Sequence, residues 1–374
     1  MKHALSSCAR KIARFGRDRR GAITAIAFLG LIPAFGAGQA QPQEVREDLP
    51  IDKTMRASVI DAVARYTEDN YLFPDRAREI ARAIRRHQKD GSYNDITSAD
   101  ALATRLTADL QAVTPDQHLK VFFSAESRPV REAPCEPSAE EIAQRRLGAV
   151  RRKFGIERAE HLDGNVGYLK LTKFDDPALA GETLAAAMRF LGNTDGLLID
   201  LRQNGGGHSD MVAMLTSYFF EGEPVHLVDL YSRLTGETSQ SWTLPYVPGP
   251  HYTGEPVFVL TGGRTFSAAE QFTYCLQKMG RVVVVGEVTR GGAHFAEIFQ
   301  INPHFAVMVP VGSATSPLTK GDWEGTGITP DVAVPGDAAV RTAHRLALEK
   351  LLDTTADDLH ADYLKMLIAE MKQP

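Results

Sequence analysis

The sequence predicts an α/β protein in which a sheet covered by helices follows a small helical domain. Short apolar runs typical of buried strands occur at Val166–Leu171, Leu197–Leu201, Val257–Leu260 and Val282–Val285. Helical patterns lie between them, at Ala178–Leu191, Met211–Phe220 and Ala268–Met279. Alternation of strands and helices indicates a parallel or mixed sheet with helices packed on it.

The stretch from Ile51 to Val113 has a helical pattern. Its apolar residues recur every three to four positions, beginning with Met55, Val59 and Val63, which is the spacing of one helix face. We expect four regions after the first forty residues: a helical domain at 41–125, a proline-containing linker at 126–163, an α/β domain at 164–353 and a C-terminal helix or tail at 354–374.

Composition and charge narrow the class of protein. The 374 residues are 43% hydrophobic and 24% charged, the balance of an ordinary globular chain. The formal net charge is −5, and because residues 1–40 hold seven basic residues and one acidic residue, the remaining 334 carry −11. An acidic body repels the phosphate backbone, so nucleic acid is not an expected partner.

Residues 1–40 have the pattern of a secretory signal peptide. Residues 1–20 are basic, an apolar stretch runs from Ala22 to Phe35, and small residues follow up to Ala40. That stretch is shorter than the roughly 20 residues that span a bilayer, which favours a cleaved signal over an uncleaved anchor. We therefore expect a periplasmic or secreted protein with no membrane span after the signal is removed.

The cysteines and histidines give no metal-ligand spacing, so no metal or other cofactor is expected. Cys8 leaves with the signal, and Cys135 and Cys275 remain. These two could form one bridge, but Cys275 lies in an apolar helical pattern, where a buried thiol is the expected state.

The first segment that carries chemistry is the run from Leu198 to Gly207, in which a buried strand leads into Asp200, Arg202 and three glycines. Three glycines allow a sharp turn that exposes backbone N–H groups, and such groups can hold a phosphate or the oxyanion of acyl transfer. The alternative is a tight strand–helix turn in which Asp200 and Arg202 pair with each other or with the backbone.

The second segment runs from Leu260 to Glu270. A strand ends, a glycine turn follows, and Ser267 stands at the start of a helix. The helix dipole and free N–H groups would stabilise negative charge on or near a serine oxygen there. The alternative is a capping box, because Glu270 follows Ser267 by three residues.

Two further segments carry one candidate side chain each. His118 follows a turn at the end of the helical domain, where it could be a base or an ordinary surface or capping residue. Glu324 lies between Trp323 and Gly325 in a glycine-rich stretch, where it could be a buried orienting carboxylate or a turn residue.

Together these segments resemble the serine peptidase family that comprises the C-terminal processing (tail-specific) proteases, the tricorn protease and interphotoreceptor retinoid-binding protein. The runs DLRQNGGG, TFSAAE, VVGEVTRGGAH and WEGTGITPDV recur there in the same order. YLFPDRA and TPDQHLKV resemble the N-terminal domain of the retinoid-binding-protein-like branch. The resemblance covers about residues 55–350 and implies a crotonase-like core of β-β-α units. The linker leaves no room for a PDZ domain.

The resemblance implies a role for each matching residue. Ser267 falls on the nucleophile, His118 on the tricorn-type base and Glu324 on the carboxylate that completes the relay. The oxyanion hole falls on the N–H groups of Ala268 and of Gly206 or its neighbour Gly207.

Two positions depart from the family pattern. The processing proteases place a lysine about 25 residues after the serine, where this chain reads Arg290-Gly291-Gly292-Ala293-His294, so a Ser–Lys dyad is unavailable. Gln117 replaces the serine that precedes the tricorn histidine. His294, near the place of the lysine, is an alternative base.

We therefore expect an exported serine-type peptidase whose partner is a peptide or protein substrate. The alternatives are a non-catalytic module that binds an apolar, retinoid- or lipid-like ligand, and an esterase on the same fold. A base with an ordinary histidine pKa predicts loss of activity below about pH 6–7.

Overall fold

The computed structural model describes residues 47–128 and 138–371. The signal-peptide prediction and Cys135 lie outside these residues. The first described elements are three helices and a short strand: α1 (Lys53–Asn70), α2 (Pro74–Lys89), α3 (Ala99–Val113) and β1 (Lys120–Phe123). Asp52 caps α1 by accepting the Met55 N–H at 2.7 Å, and Ser98 caps α3 by accepting the Ala101 N–H at 3.0 Å. These side chains satisfy donors that the first turn of a helix leaves free.

The remaining helices and strands alternate along the chain. The helices are α4 (Ala139–Arg151), α5 (Pro177–Leu191), α6 (Ser209–Ser217), α7 (Ala268–Lys278), α8 (Ala339–Thr354) and α9 (Asp358–Met371). The strands are β2 (Ile156–Leu162), β3 (Val166–Leu171), β4 (Gly196–Asp200), β5 (His226–Ser232), β6 (Glu237–Trp242), β7 (Val257–Thr261), β8 (Val283–Gly286), β9 (His294–Gln300), β10 (Phe305–Thr315) and β11 (Val332–Ala333).

These strands form two sheets. The larger has the order β11-β8-β7-β4-β3-β2, parallel throughout except where β2 pairs antiparallel with β3. The smaller has the order β1-β10-β5-β6, with β9 also paired to β10, and it is antiparallel. The predicted α/β class with a mixed sheet covered by helices is confirmed.

The larger sheet is buried on both faces, as a mostly parallel sheet requires. Leu197 and Ile199 of β4 pack in a cluster with α5, α6 and α7. Leu198, between them, packs in a second cluster with α8 and α9. The α9 helix therefore covers one face of the sheet, through Leu364 and Leu367.

The N-terminal helices pack against the smaller sheet. Leu102, Leu106 and Leu110 of α3 share one buried cluster with Phe305 and Val307 of β10. β1 adds to the same sheet by pairing with β10. The predicted helical region is therefore continuous with the sheet that adjoins it.

The predicted linker contains regular structure. Helix α4 lies within 126–163, and β2 is an edge strand of the larger sheet that begins at Ile156. The sheet thus starts eight residues before the expected boundary at 164. Among the described residues, none of the helices combines the length and apolar character needed to cross a membrane.

Candidate active site

Ser267 occupies a strained turn between β7 and α7. Its backbone angles are φ 56° and ψ −123°, and a positive φ at a non-glycine residue costs of order 1–3 kcal/mol. The turn sets the half-buried Ser267 side chain at the amino end of α7, where the helix dipole favours negative charge.

Glu270 binds the backbone around Ser267. Its carboxylate is fully buried and accepts the N–H groups of Ser267 at 2.9 Å, Gly291 at 2.7 Å and Gly292 at 2.8 Å. It also accepts the hydroxyl of Thr289. Burial raises the pKa of Glu270, and these hydrogen bonds oppose that rise. The contact that the capping-box pattern predicted is thus part of a larger junction, which ties α7 to the segment after β8.

The glycine turn after β4 lies against the serine. A Cβ atom at Gly206 would stand 2.7 Å from the Cβ of Ser267 and 3.1 Å from the N atom of Ala268, and its φ is +104°. Only glycine fits so close an approach with that backbone conformation. Before the turn, Arg202 donates to Asp200 at 2.7 Å and 2.9 Å, so the predicted pairing of these two residues is confirmed.

The N–H group of Gly206 is already engaged, since it donates to Oδ1 of the buried Asn204 at 2.9 Å. This differs from the expectation that it would face a substrate oxygen. In the described part of the chain, the N–H groups of Ala268 and Gly207 make no hydrogen bond. The sequence could not distinguish Gly206 from Gly207, because the direction of each N–H depends on how Asn204 packs.

His118 lies between α3 and β1 and is buried. Its ring stacks on that of Phe266, with centroids 4.3 Å apart and planes at 28°. Its backbone N–H donates to Asp116 Oδ1 at 3.0 Å. The buried Nδ1 has no hydrogen-bond partner among the described residues. Burial lowers the pKa of His118 to about 4, so the ring is neutral at pH 7.

Gly292, 25 residues after Ser267, borders both rings of this stack. A Cβ atom at Gly292 would stand 2.8 Å from Cε1 of His118 and would collide with the ring of Phe266. The space that a side chain at position 292 would enter is therefore occupied by His118 and Phe266.

Glu324 lies against His294. Its Oε2 atom accepts the N–H groups of Ala293 at 2.6 Å and His294 at 3.0 Å and lies 3.6 Å from Nδ1 of His294. The expected contact between Glu324 and His118 is absent from the contacts of the described residues. Glu270 and Glu324 together bind four successive N–H groups, those of residues 291–294.

Asp116 is a buried residue that sequence reasoning passed over. Its Oδ2 atom lies 2.7 Å from Nδ1 of His294 and accepts the hydroxyl of Tyr71 at 3.2 Å. Burial alone would lower the pKa of His294, but the hydrogen bond and charge of Asp116, with Glu324 and Asp322, raise it above its usual value. The only sequence signal was an acid two residues before His118.

Asp116, His294 and Glu324 each offer one metal-ligand atom, and these atoms lie within 4.8 Å of one another. Both carboxylate oxygens already accept hydrogen bonds, from Tyr71 and His294 at Asp116 and from two backbone N–H groups at Glu324. The three candidate ligand atoms therefore already take part in hydrogen bonds with protein groups.

Gln117 and Arg290 hold each other at the edge of this region. Nε of Arg290 donates to Oε1 of Gln117, and the Gln117 amide donates to the Arg290 carbonyl at 3.3 Å. The Arg290 guanidinium lies over the ring of Phe266, 5.1 Å from its centroid. Gln117 therefore contacts the segment after β8 rather than either histidine ring.

Two family models match this chain. Residues 165–334 match peptidase family S41, and residues 52–149 match the N-terminal domain of peptidase S41 in eukaryotic IRBP. The two matches cover more than two thirds of the sequence, and they contain Ser267 and His118 respectively.

Curated relatives match the chain in part. Carboxyl-terminal-processing peptidase 1, chloroplastic, of Arabidopsis thaliana is 28% identical over 206 residues, which are 54% of this chain and 40% of the relative. The carboxyl-terminal-processing protease of Picosynechococcus is 26% identical over 197 residues, 52% of this chain and 46% of the relative. The chain thus spans less than half the length of these relatives.

Solved structures share the fold. A lipoprotein from Streptococcus agalactiae has a TM-score of 0.52 at 15% identity, over 81% of this chain and 98% of that one. A protein from Parabacteroides merdae has the same TM-score at 19% identity, over 78% of this chain and 96% of that one. Because two models of this family together match more than two thirds of the sequence, the chain belongs to peptidase family S41.

Proposed function

We propose that this protein is a serine peptidase that hydrolyses peptide bonds with Ser267 as nucleophile and His118 as general base. The observation that carries the proposal is the strained turn at Ser267, which puts the serine at the amino end of α7 near the N–H groups of Ala268 and Gly207, for which residues 47–128 and 138–371 offer no acceptor. Membership of family S41 supports the same chemistry.

The reaction assigns each group one task. His118 takes the hydroxyl proton of Ser267 while the serine oxygen bonds to the substrate carbonyl carbon. The N–H groups of Ala268 and Gly207 donate to the oxygen that becomes negative. His118 then gives its proton to the leaving amine as the bond between the carbonyl carbon and the nitrogen breaks. In the second half of the reaction, His118 takes a proton from water while the water oxygen bonds to the acyl carbon, and it returns that proton to Ser267 as the acyl group leaves. Gly206 does not donate to this oxygen, since its N–H is bonded to Asn204. Its backbone packs against Ser267 and Ala268.

The packing at Gly292 favours His118 over a base carried at position 292 itself. The family's lysine stands about 25 residues after the serine, and here that position has no side chain. The volume beside it holds the His118 ring. Because burial lowers the pKa of His118 to about 4, the imidazole is neutral at pH 7 and one ring nitrogen carries no proton, as a general base requires.

Glu324 supports this site as a positioning residue. Because its carboxylate binds the N–H groups of Ala293 and His294, it fixes the segment whose Gly292 borders His118. Loss of Glu324 would let that segment move, since two buried donors would lose their acceptor.

A phosphonate probe that reacts with activated serines tests the proposal. We expect the probe to attach to Ser267, identified by mass spectrometry of the digested protein, and Ser267→Ala to abolish the labelling. Parallel assays with a peptide and its ester analogue separate a peptidase from an esterase. Absence of labelling on the folded wild-type protein would refute the proposal. Turnover of the ester but not of the peptide would show that the protein is an esterase instead of a peptidase.

We also propose that the protein is exported. The seven basic side chains within residues 1–20 and the apolar stretch Ala22–Phe35 support a cleaved signal. N-terminal sequencing of the protein purified from the producing cells should find a start after Ala40. A start at Met1 in the mature protein would contradict export by this route.

A further inference from the structure

Two buried residues without a part in the proposed reaction form a link between distant parts of the chain. Asp116 precedes β1, and His294 begins β9, 178 positions later. Their side chains are nearly inaccessible to solvent, at 3% for Asp116 and 8% for His294. Two such groups taken out of water require good mutual geometry, and the 2.7 Å contact supplies it.

The same carboxylate binds the backbone of the proposed base. Oδ1 of Asp116 accepts the N–H of His118 while Oδ2 meets His294. The ring of His118 has no carboxylate partner, because its Nδ1 is buried without a hydrogen bond among the described residues. The position of the ring therefore depends on the backbone of residues 116–118 and on its stack with Phe266.

We propose that Asp116 and His294 are a pair of positioning residues that hold the ring of His118 in its stack on Phe266, the residue before Ser267. Asp116 fixes the His118 backbone, and His294 fixes Asp116 from the segment that Glu270 ties to α7. This inference rests on the proposed function, since it assigns a role toward the base of that reaction. Neither residue touches the reacting atoms, so both act through His118.

The surroundings of His294 suit that task. Asp116, Glu324 and Asp322 face it with negative charge, and His118 is the neighbouring histidine. The ring of Phe73 meets His294 edge-on at 5.6 Å. A charged His294 is thus favoured by three carboxylates and held in one orientation by Asp116. Replacement by alanine would leave the Asp116 carboxylate without its main partner.

The test compares Asp116→Asn, His294→Ala and His294→Gln in the wild-type and His118→Ala backgrounds. In the wild-type background we expect kcat for a peptide to fall about 100-fold for Asp116→Asn and His294→Ala, as for small displacements of a catalytic group. His294→Gln, whose amide can still donate to Asp116, should recover part of that loss. KM should change by less than about threefold throughout.

In the His118→Ala background the same changes should have no further effect on kcat, because residues that act through one group are not additive. The matched control is His344→Gln on α8, a buried histidine whose Nε2 lies 2.8 Å from the Asp163 carbonyl oxygen, away from the serine turn. It should leave turnover unchanged. An equal further loss in the His118→Ala background would overturn the inference, and so would full wild-type kcat in His294→Ala.

A readout that needs no turnover separates this inference from the proposed function. Diethyl pyrocarbonate acylates accessible imidazoles, and mass spectrometry measures the rate at His118 itself. We expect Asp116→Asn and His294→Ala to raise that rate several-fold at unchanged circular dichroism, while His344→Gln does not. If His118 reacts at the same rate in all variants, the pair does not position it, whether or not the protein is a peptidase. If His294→Ala is unfolded, the comparison is made with Asp116→Asn, where an unchanged rate and an unchanged kcat would likewise overturn the inference.

Discussion

The imidazole of His118 stacks on the ring of Phe266, the residue before Ser267, with centroids 4.3 Å apart. The stack joins a residue next to β1 to the turn that carries the serine, over 148 positions of sequence. Because Gly292 lies against both rings, the absence of a side chain at that position is a condition for the stack.

Gly292→Ala should therefore disable the site. The added methyl group would meet His118 at 2.8 Å and would overlap Phe266, and overpacking of this kind costs about 1–3 kcal/mol. We expect the rate of phosphonate labelling at Ser267 to fall by at least about tenfold, since displacement of a catalytic group has effects of this order.

Gly263→Ala is the matched control for Gly292→Ala. A Cβ atom at Gly263 would meet nothing within 4 Å, although the residue lies only four positions before Ser267. In Gly263→Ala, the phosphonate probe should label Ser267 at the wild-type rate. Equal labelling by the two variants would show that His118 does not need the space beside Gly292.

The backbone strain at Ser267 predicts that removing it makes the protein more stable, even though the same change removes the nucleophile. Ser267→Gly should raise the melting temperature, because glycine adopts φ 56° without the cost of about 1–3 kcal/mol that serine bears. Ser267→Ala keeps the strain and should melt near the wild type. Both should lose labelling.

Thermal melts followed by circular dichroism measure the difference between the two Ser267 variants. If the melting temperature of Ser267→Gly is lower than that of Ser267→Ala, the backbone at this turn does not store the strain described above. Labelling that persists in either variant would instead place the nucleophile elsewhere.

Much of the architecture could be read from the sequence because burial leaves a pattern. All five residues of β7 are buried, and such a strand appears as an apolar run. The strand β6 is polar and largely exposed, and β2 mixes polar and half-buried residues. Neither strand has a strict apolar alternation, so both were missed. Their places at or near sheet edges depend on hydrogen bonds to a neighbour.

The candidate site divides in the same way. Ser267 and the glycine turn at Gly206 could be singled out as candidates because a strand, a glycine turn and a helix leave a local signal, whereas the bond from the Gly206 N–H to Asn204 could not be predicted. The contact of Asp116 with His294 could not, since the residues lie 178 positions apart and meet only when the N-terminal helices pack on the smaller sheet. The partner of Glu324 is decided by the same packing, and it is His294 instead of His118.

Glu270 should be required for the integrity of the serine turn. Its carboxylate accepts four donors while fully buried, so Glu270→Gln replaces an acceptor oxygen by an amide that faces donors. Leaving buried donors unpaired costs about 1–3 kcal/mol each. We expect a lower melting temperature by several degrees and slower labelling of Ser267.

Glu287→Gln is the comparison for Glu270→Gln, because Glu287 also accepts two backbone N–H groups but is exposed. It should change the melting temperature by much less. If the two variants melt alike, the buried junction at Glu270 does not stabilise the turn.

The pH dependence of kcat/KM should identify the base. Because burial lowers the pKa of His118 to about 4, the ring stays neutral and able to accept a proton well below pH 6. We expect kcat/KM for a peptide to be level from neutral pH to about pH 5 and to fall near pH 4, below the range that an ordinary histidine pKa of about 6.5 predicts.

The stability of the protein must be followed over the same pH range. A histidine whose pKa is lower in the folded state stabilises the fold above the unfolded value of about 6.5, and this stabilisation is lost as the pH falls toward the folded value. His294, whose pKa is raised by Asp116 and other carboxylates against the effect of burial, contributes in the opposite direction, with its stabilisation lost as the pH rises through its folded value. Melting curves in the assay buffers therefore separate loss of the base from unfolding. A fall in kcat/KM at pH 6–7, in protein that is still fully folded, would mean that the base has an ordinary pKa and is not the buried His118.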